Sequence, residues 1–360
     1  MKLARRRSLG NLRRLHAPKN LIDFASNDYL GLARSNELNM LVEKEEHESS
    51  LNGFGSTGSR LLTGNTSYAE DLEDHIASFH GYPAGLIFNC GYMANVGLLS
   101  VIANSDDTIF FDAHVHASIH DGIRLSRACA YPFRHSDLEH LESRLRQYGA
   151  KGNRYICIES VYSTAGTMAP LEDICRLANE YEARLIVDEA HAVGAFGPGG
   201  RGLVAERGLM KHVFAQVVTF GKAIGTFGAI VLGSDLLKEY LINFSNAYIY
   251  TTALPFRSLA AIKSSYDLFP TLDDERAHIR NLIFRFQSSS SSKTQIQPIK
   301  IAGNQAVRQI AEKLQHNGFD VRPLMSPTVQ RGHEVLRICL HAFNTAEEVD
   351  SLLRSLERYI

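Results

Sequence analysis

Net charge is almost absent from this chain: 38 lysines and arginines nearly cancel 39 aspartates and glutamates, leaving a formal charge of -1. No field of one sign is available to hold nucleic acid or an anionic membrane, so the expected partners are small molecules or protein. No C-x-x-C pair occurs among the five cysteines, Cys90, Cys129, Cys157, Cys175 and Cys339. That scatter argues for reduced thiols in a cytosolic protein and against a disulfide framework. No apolar run approaches the length of a membrane span. The basic start, Met1 to Arg7, lacks the apolar stretch of an export signal, and a soluble first helix explains it with fewer assumptions than a mitochondrial presequence; the expected location is cytoplasmic. No internal repeat is visible.

What is present is an alternation of short apolar runs with amphipathic stretches, the pattern of a mostly parallel sheet between helices. Strands are expected at Gly85–Phe88, Thr108–Phe111, Tyr155–Glu159, Arg184–Asp188 and Val217–Phe220, with a helix over Leu171–Tyr181. At 360 residues the chain exceeds one ordinary core, so two domains are expected. The character changes near Pro255, and a smaller α+β domain follows: strand Ile296–Ile301, helix Gln305–His316, strand Val335–Leu340, and a last helix with Asn344 as N-cap and Glu347 three residues on. The division is an N-terminal segment 1–35, a large domain 36–255 and a small domain 256–360. The Ser288–Ser292 run reads as a flexible surface loop.

Two segments carry chemistry. Arg184-Leu185-Ile186-Val187-Asp188-Glu189-Ala190-His191 is an apolar strand ending in acid, acid and imidazole, at the carboxyl edge where open parallel sheets bind ligands. For Asp188 alone, an N-cap of the next helix is an equally good explanation. A helicase D-E-A-H box requires a phosphate loop G-x-x-x-x-G-K-[ST], and the chain has none. Then Val217-Val218-Thr219-Phe220-Gly221-Lys222-Ala223-Ile224-Gly225 repeats the geometry with a lysine among small residues. Most lysines simply reach solvent. Paired with Asp188, however, Lys222 supplies what an electron-sink cofactor needs: an amine for its aldehyde and a carboxylate for its ring nitrogen. Gly53-Phe54-Gly55-Ser56-Thr57-Gly58 matches G-x-G-x-x-G formally, but Val42–Ser50 before it is charged and helix-like where a dinucleotide fingerprint requires a buried strand. His114, His116 and His120 cluster without a recognised metal-ligand spacing.

On these residues the chain resembles the α-oxoamine synthases, fold-type I pyridoxal-phosphate enzymes, from about Asp23 to about Leu353. The landmarks are Asn27-Asp28-Tyr29-Leu30-Gly31-Leu32, Gly58-Ser59-Arg60, Cys90-Gly91-Tyr92-Met93-Ala94-Asn95, His116-Ala117-Ser118, Asp188-Glu189-Ala190-His191, Thr219-Phe220-Gly221-Lys222-Ala223 and Leu336-Arg337-Ile338. The resemblance implies an aminotransferase-like fold with a large and a small domain. It makes Lys222 the Schiff-base lysine and the base for the substrate's Cα proton, Asp188 the partner of the ring nitrogen, His191 a donor to the phenolic oxygen and His116 a ring laid on the cofactor face. Cys90, Gly91, Tyr92 and Thr219 would hold the phosphate end, and Ser163 and Glu159 would lie beside the cofactor. Thr251 or Thr252 would reach the phosphate of a second subunit, implying a homodimer. Arg337 would bind the amino-acid carboxylate, with Asn27 nearby, and Arg13 the acyl substrate. Two departures from the family pattern stand out: Thr164-Ala165-Gly166-Thr167 lacks the usual two acids, and Cys90 replaces a common serine.

The implied reaction is a decarboxylative condensation of an amino acid with an acyl thioester on coenzyme A or acyl carrier protein. Ile296-Gln297-Pro298-Ile299 and Pro327-Thr328-Val329 resemble the alanine- and pimeloyl-using members more than the glycine-using ones, which implies L-alanine and a pimeloyl thioester, with glycine- and serine-using relatives as the alternatives. A protein that binds pyridoxal phosphate without catalysis is the reading from a different class, opposed by the joint presence of Lys222, Asp188, His191 and Arg337.

Overall fold

The computed structural model describes residues 2–13, 15, 20–51, 54–149 and 151–360. Met1 and Gly53, which figured above, lie outside the described residues. In chain order the strands are β1 (Ile22–Asp23), β2 (Ala84–Phe88), β3 (Thr108–Asp112), β4 (Cys129–Phe133), β5 (Arg154–Glu159) and β6 (Ala183–Asp188). They continue as β7 (Val213–Thr219), β8 (Ala229–Gly233), β9 (Ile296–Lys300), β10 (Phe319–Asp320), β11 (Arg322–Leu324) and β12 (Val335–Cys339).

Contacts divide the chain into two compact units: residues 1–29, 163–167 and 274–360 form one, and 30–162 with 168–273 the other. The larger unit is built on a seven-stranded sheet in the order β2-β8-β7-β6-β5-β3-β4. Strands β4, β3, β5, β6 and β7 run parallel, while β8 is antiparallel to both β7 and β2. The five apolar strands expected from the sequence are all present, as β2, β3, β5, β6 and β7. Their side chains are buried on both faces, as a sheet covered by helices on each side requires: Ile156, Cys157, Ile158, Leu185, Val187, Val217 and Val218 are all 1% exposed or less. Strands β4 and β8 lie outside the expected set. The first is an edge strand, largely exposed and carrying Pro132, which an edge tolerates because one side of the ladder is unpaired.

In the smaller unit β9, β12 and β11 form an antiparallel sheet, and β1 pairs in parallel with β10. Helix Asn304–His316 follows β9, and helix Ala346–Tyr359 closes the chain. The N-cap of that last helix is Thr345 rather than Asn344: the Thr345 hydroxyl accepts from Glu348 N at 3.1 Å while the Glu348 carboxylate accepts from Thr345 N at 2.9 Å, a full capping box one residue later than expected. Asn344 is already committed, accepting from His341 N and donating to Asp23 O. The serine run also differs from expectation. Ser290 and Ser292 are buried, and Ser292 Oγ donates to Gly166 O at 2.8 Å, joined there by Thr294 Oγ1 at 3.1 Å. Gly166, at φ +61°, sits so close to Ile296 O that a Cβ would fall 2.2 Å from it. The segment 163–167, which lacks the acids of the family pattern, is thus held by hydroxyl groups from 292–294.

Thr345→Ala removes one acceptor from the start of the last helix and is expected to cost about 1 kcal/mol. Urea denaturation of the variant against the wild-type chain measures it.

Candidate active site

Register brings the chemistry to one edge of the large sheet. Glu159 pairs with Asp188 across β5 and β6, and Asp188 pairs with Val217 across β6 and β7, so the carboxyl ends of three parallel strands stand side by side. Beyond β7 the chain turns through a closed loop: Phe220 N donates to Gly228 O at 2.9 Å, Thr226 N to Phe220 O at 2.8 Å and Gly225 N to Lys222 O at 2.9 Å. Gly225 is required there, since its φ is +71° and a Cβ would meet Ala33 N and Leu32 Cβ at 2.5 Å. Lys222 sits in this loop.

Lys222 Nζ lies 2.9 Å from His191 Nε2. His191 is 4% exposed and Asp188 5%. The Asp188 carboxylate is met by two donors, Ala190 N at 2.9 Å on Oδ1 and Asn95 Nδ2 at 2.7 Å on Oδ2. His116 caps the helix Ala117–Leu125, with Nδ1 facing Ser118 N at 3.3 Å and Ser118 Oγ at 2.7 Å. Partial burial holds the His116 pKa below the ordinary imidazole value; the Lys222 ammonium and His120 push the same way and Asp188 opposes them. Lys222, His191, Asp188 and His116 are thus brought together within the larger unit.

The residues expected at a phosphate end gather as well. Helix Gly91–Ile102 begins at Cys90, whose side chain makes no capping bond. Its first-turn N–H groups have no partner inside the helix, as at every helix start, and the dipole favours an anion there. Gly91 faces Thr219, with room for a Cβ only 3.3 Å from its side chain. One residue before the cap, Asn89 Nδ2 donates to Thr251 Oγ1 at 3.1 Å and to Thr252 O at 3.0 Å. The Tyr92 hydroxyl bonds Asp121. The other two histidines of the cluster face rings, His114 stacking on His135 and His120 edge-on to Phe111.

The smaller unit assembles its own group. Arg337 on β12 donates from Nε to Ser163 O at 2.7 Å and from Nη2 to Asn27 Oδ1 at 2.9 Å, with Cys339 Sγ at 3.0 Å from Nη1. Tyr29 O–H donates to Asn27 Oδ1 at 3.2 Å. Arg13 donates to Thr328 Oγ1 at 3.0 Å. Ser163 therefore meets Arg337 through its backbone carbonyl.

Among known families, the one described as aminotransferase class I and II matches residues 19–356. The chain belongs to this aminotransferase class I and II family. It is 40% identical to 8-amino-7-oxononanoate synthase of Emericella nidulans over 95% of this chain and 90% of the relative. Among solved structures it is similar to serine palmitoyltransferase of Sphingomonas wittichii, with TM-score 0.87 and 29% identity over 94% of this chain and 87% of that one. The 8-amino-7-oxononanoate synthase of Francisella tularensis aligns with TM-score 0.79 and 29% identity over 94% and 97% of the two chains. The fold expected from the resemblance, a mostly parallel sheet between helices in an aminotransferase-like chain, is the one observed.

One residue of this aminotransferase-family site was quoted in the sequence motif without a role of its own. Glu189 is fully buried, and its Oε1 accepts from Leu203 N at 2.8 Å and Val204 N at 3.1 Å. Burial pushes its carboxyl up to about 7 and the adjacent Asp188 charge adds to this, while hydrogen bonds from Ser160, Val204 and Leu203 oppose it. The folded pKa lies above the reference 4.5, so the Glu189 contribution to stability is fully present below about 4.5 and is lost as pH rises through about 7. Relative to Glu189→Gln, the wild-type chain is expected to lose about 3 kcal/mol between pH 4.5 and 8. Urea titrations of both proteins across that range measure the difference; a gap that stays constant with pH would contradict it.

Proposed function

We propose that this chain is a pyridoxal-phosphate-dependent α-oxoamine synthase that condenses L-alanine with a pimeloyl thioester, releasing carbon dioxide and the thiol, to give 8-amino-7-oxononanoate for biotin synthesis. The observation that carries this reading is the 40% identity, across nearly the whole of both chains, to a relative of that name. The residues fit the cofactor: an amine, a nearly buried carboxylate and an imidazole gather at neighbouring strand ends, and a helix N-terminus without a side-chain cap stands beside Thr219.

When bound, pyridoxal phosphate supplies an aldehyde that condenses with amines and a ring that accepts the electron pair left at Cα. We assign Lys222 Nζ to the aldehyde and then to taking the Cα proton of alanine. Asp188 would accept the hydrogen bond of a protonated ring nitrogen, which favours the charged form of such a ring. His191 would donate to the phenolic oxygen, and His116 would hold the ring. Gly91, Tyr92, Cys90 and Thr219 would receive the phosphate at the helix start. Arg337, held by Asn27 and the Ser163 carbonyl, takes the substrate carboxylate, for which its planar guanidinium is suited. Arg13 contacts the acyl substrate.

Thr251 or Thr252 would serve the phosphate site of a second copy, which makes the working form a homodimer. Support comes from an open groove of about 810 Å³ on the larger unit, lined by Leu38, Val42, Phe54, Phe227 and Pro255, in which Phe54 and Phe227 are exposed. Exposed apolar surface is one of the features of a protein interface.

Purified protein is expected to be yellow and to lose that colour on borohydride reduction, and Lys222→Ala to lack the colour and to turn over about 10³-fold more slowly. Thiol release measured with alanine, glycine and serine against several acyl thioesters should favour alanine with pimeloyl; release with glycine and acetyl-coenzyme A alone would end the substrate assignment. Sedimentation is expected to show twice the 40.0 kDa chain mass.

A further inference from the structure

A chain of four polar side chains runs through the larger unit behind the site. Asn95, 2% exposed on the helix Gly91–Ile102, gives one Nδ2 hydrogen to Asp188 Oδ2 at 2.7 Å and the other to Ser118 Oγ at 3.0 Å. Ser118, fully buried in the first turn of the next helix, meets His116 Nδ1 through its hydroxyl at 2.7 Å and its backbone N–H at 3.3 Å. Asn95 and Ser118 lie 23 residues apart, and Asn95 and Asp188 lie 93 apart.

Proton positions along this chain follow by elimination. An ionised carboxylate only accepts, so Asn95 must turn its nitrogen, not its oxygen, to Asp188. The second hydrogen on that nitrogen then faces Ser118 Oγ, which is used as an acceptor. Ser118 keeps its own O–H to give, and His116 Nδ1 stands in reach. The backbone N–H of Ser118 can only donate to the same atom. Nδ1 therefore bears a lone pair, and the imidazole proton belongs on Nε2.

We propose that Asn95 and Ser118 are positioning residues: from one end of the chain they hold His116 neutral and protonated on Nε2, and from the other they keep the Asp188 carboxylate aimed. What these two groups act on rests on the functional reading above; where the protons sit does not. Protonating Nδ1 would set an N–H against two donors, one of them a backbone N–H that cannot rotate away. A neutral imidazole is also the form that can lie against a protonated heterocycle without charge repulsion. The charged and titratable groups around His116 are Asp188, Lys222 and His120, with the Tyr92 ring edge-on at 6.5 Å; of the three, Asp188 alone favours the cation.

Histidine ¹⁵N spectra of the full chain, with and without pyridoxal phosphate and with the His116 signal assigned by its loss in His116→Gln, test this directly. The wild type should show the Nε2–H tautomer. Ser118→Ala should raise the His116 pKa by about one unit, equal to the loss of one ordinary hydrogen bond to the neutral ring. Asn95→Leu should weaken retention of pyridoxal phosphate about tenfold by the same reckoning. An Nδ1–H tautomer in the wild type, or a Ser118→Ala protein whose His116 titrates as the wild type does, overturns the proton assignment; Asn95→Leu protein that holds the cofactor as tightly as wild type overturns the aiming role. If the wild type binds no pyridoxal phosphate, the functional reading fails while the spectra still decide the proton placement.

Discussion

A carboxylate taken almost wholly out of water must be met by donors or surrender its charge, and Asp188 is such a group. Its placement at the last position of β6, in register with Glu159 and Val217, puts it where a strand of a parallel sheet exposes its carboxyl end. The donors that meet it come from elsewhere: the backbone of Ala190 and the amide of Asn95. Asn95 can reach only because the helix Gly91–Ile102 lies against the sheet beside it. The same helix opens at Cys90 next to Thr219, so one element both supports the carboxylate and offers an anion site.

Around this centre the protein uses each acid differently according to its surroundings. Asp188 and Glu189 are neighbours in sequence, both buried, yet they face different partners. Asp188 meets a side-chain amide, while Glu189 ties down the Leu203–Val204 backbone and is pushed toward neutrality. The alternation of a strand and the turn that ends it separates them. One acid is held by a side-chain amide at the strand end and the other holds the loop that follows.

Much of this was legible in the sequence because it is local. The runs ending at Glu159, Asp188 and Thr219 are apolar and terminated by polar residues, so strand, edge and candidate site could be read together. Lys222 was legible for the same reason, sitting in a glycine-bounded turn after a strand. Strand β4 was not, because Pro132 and an exposed face hide an edge strand, and β8 was not, because four apolar residues between glycines carry no periodicity. The last helix began one residue late because Asn344 was occupied by His341 and Asp23, a contact across 321 residues that no window could reveal. The Asn95 to Asp188 bond and the docking of Ser292 on Gly166 are of the same long-range kind. So is the pairing of β1 with β10, by which the first residues join the unit that contains the last.

The antiparallel strand β8 has a bearing on how the molecule is made. Strand β2 forms an edge of the large sheet, and its one neighbour there is β8, which the chain supplies only after β3 to β7. As the polypeptide emerges from a ribosome, the Ala84–Phe88 segment, apolar on both faces, therefore waits uncovered by its partner until most of the larger unit has been synthesised. Such a delay exposes a sticky strand to chaperones and to other nascent copies, and ties the birth of the sheet to the arrival of the β7–β8 hairpin that carries Lys222.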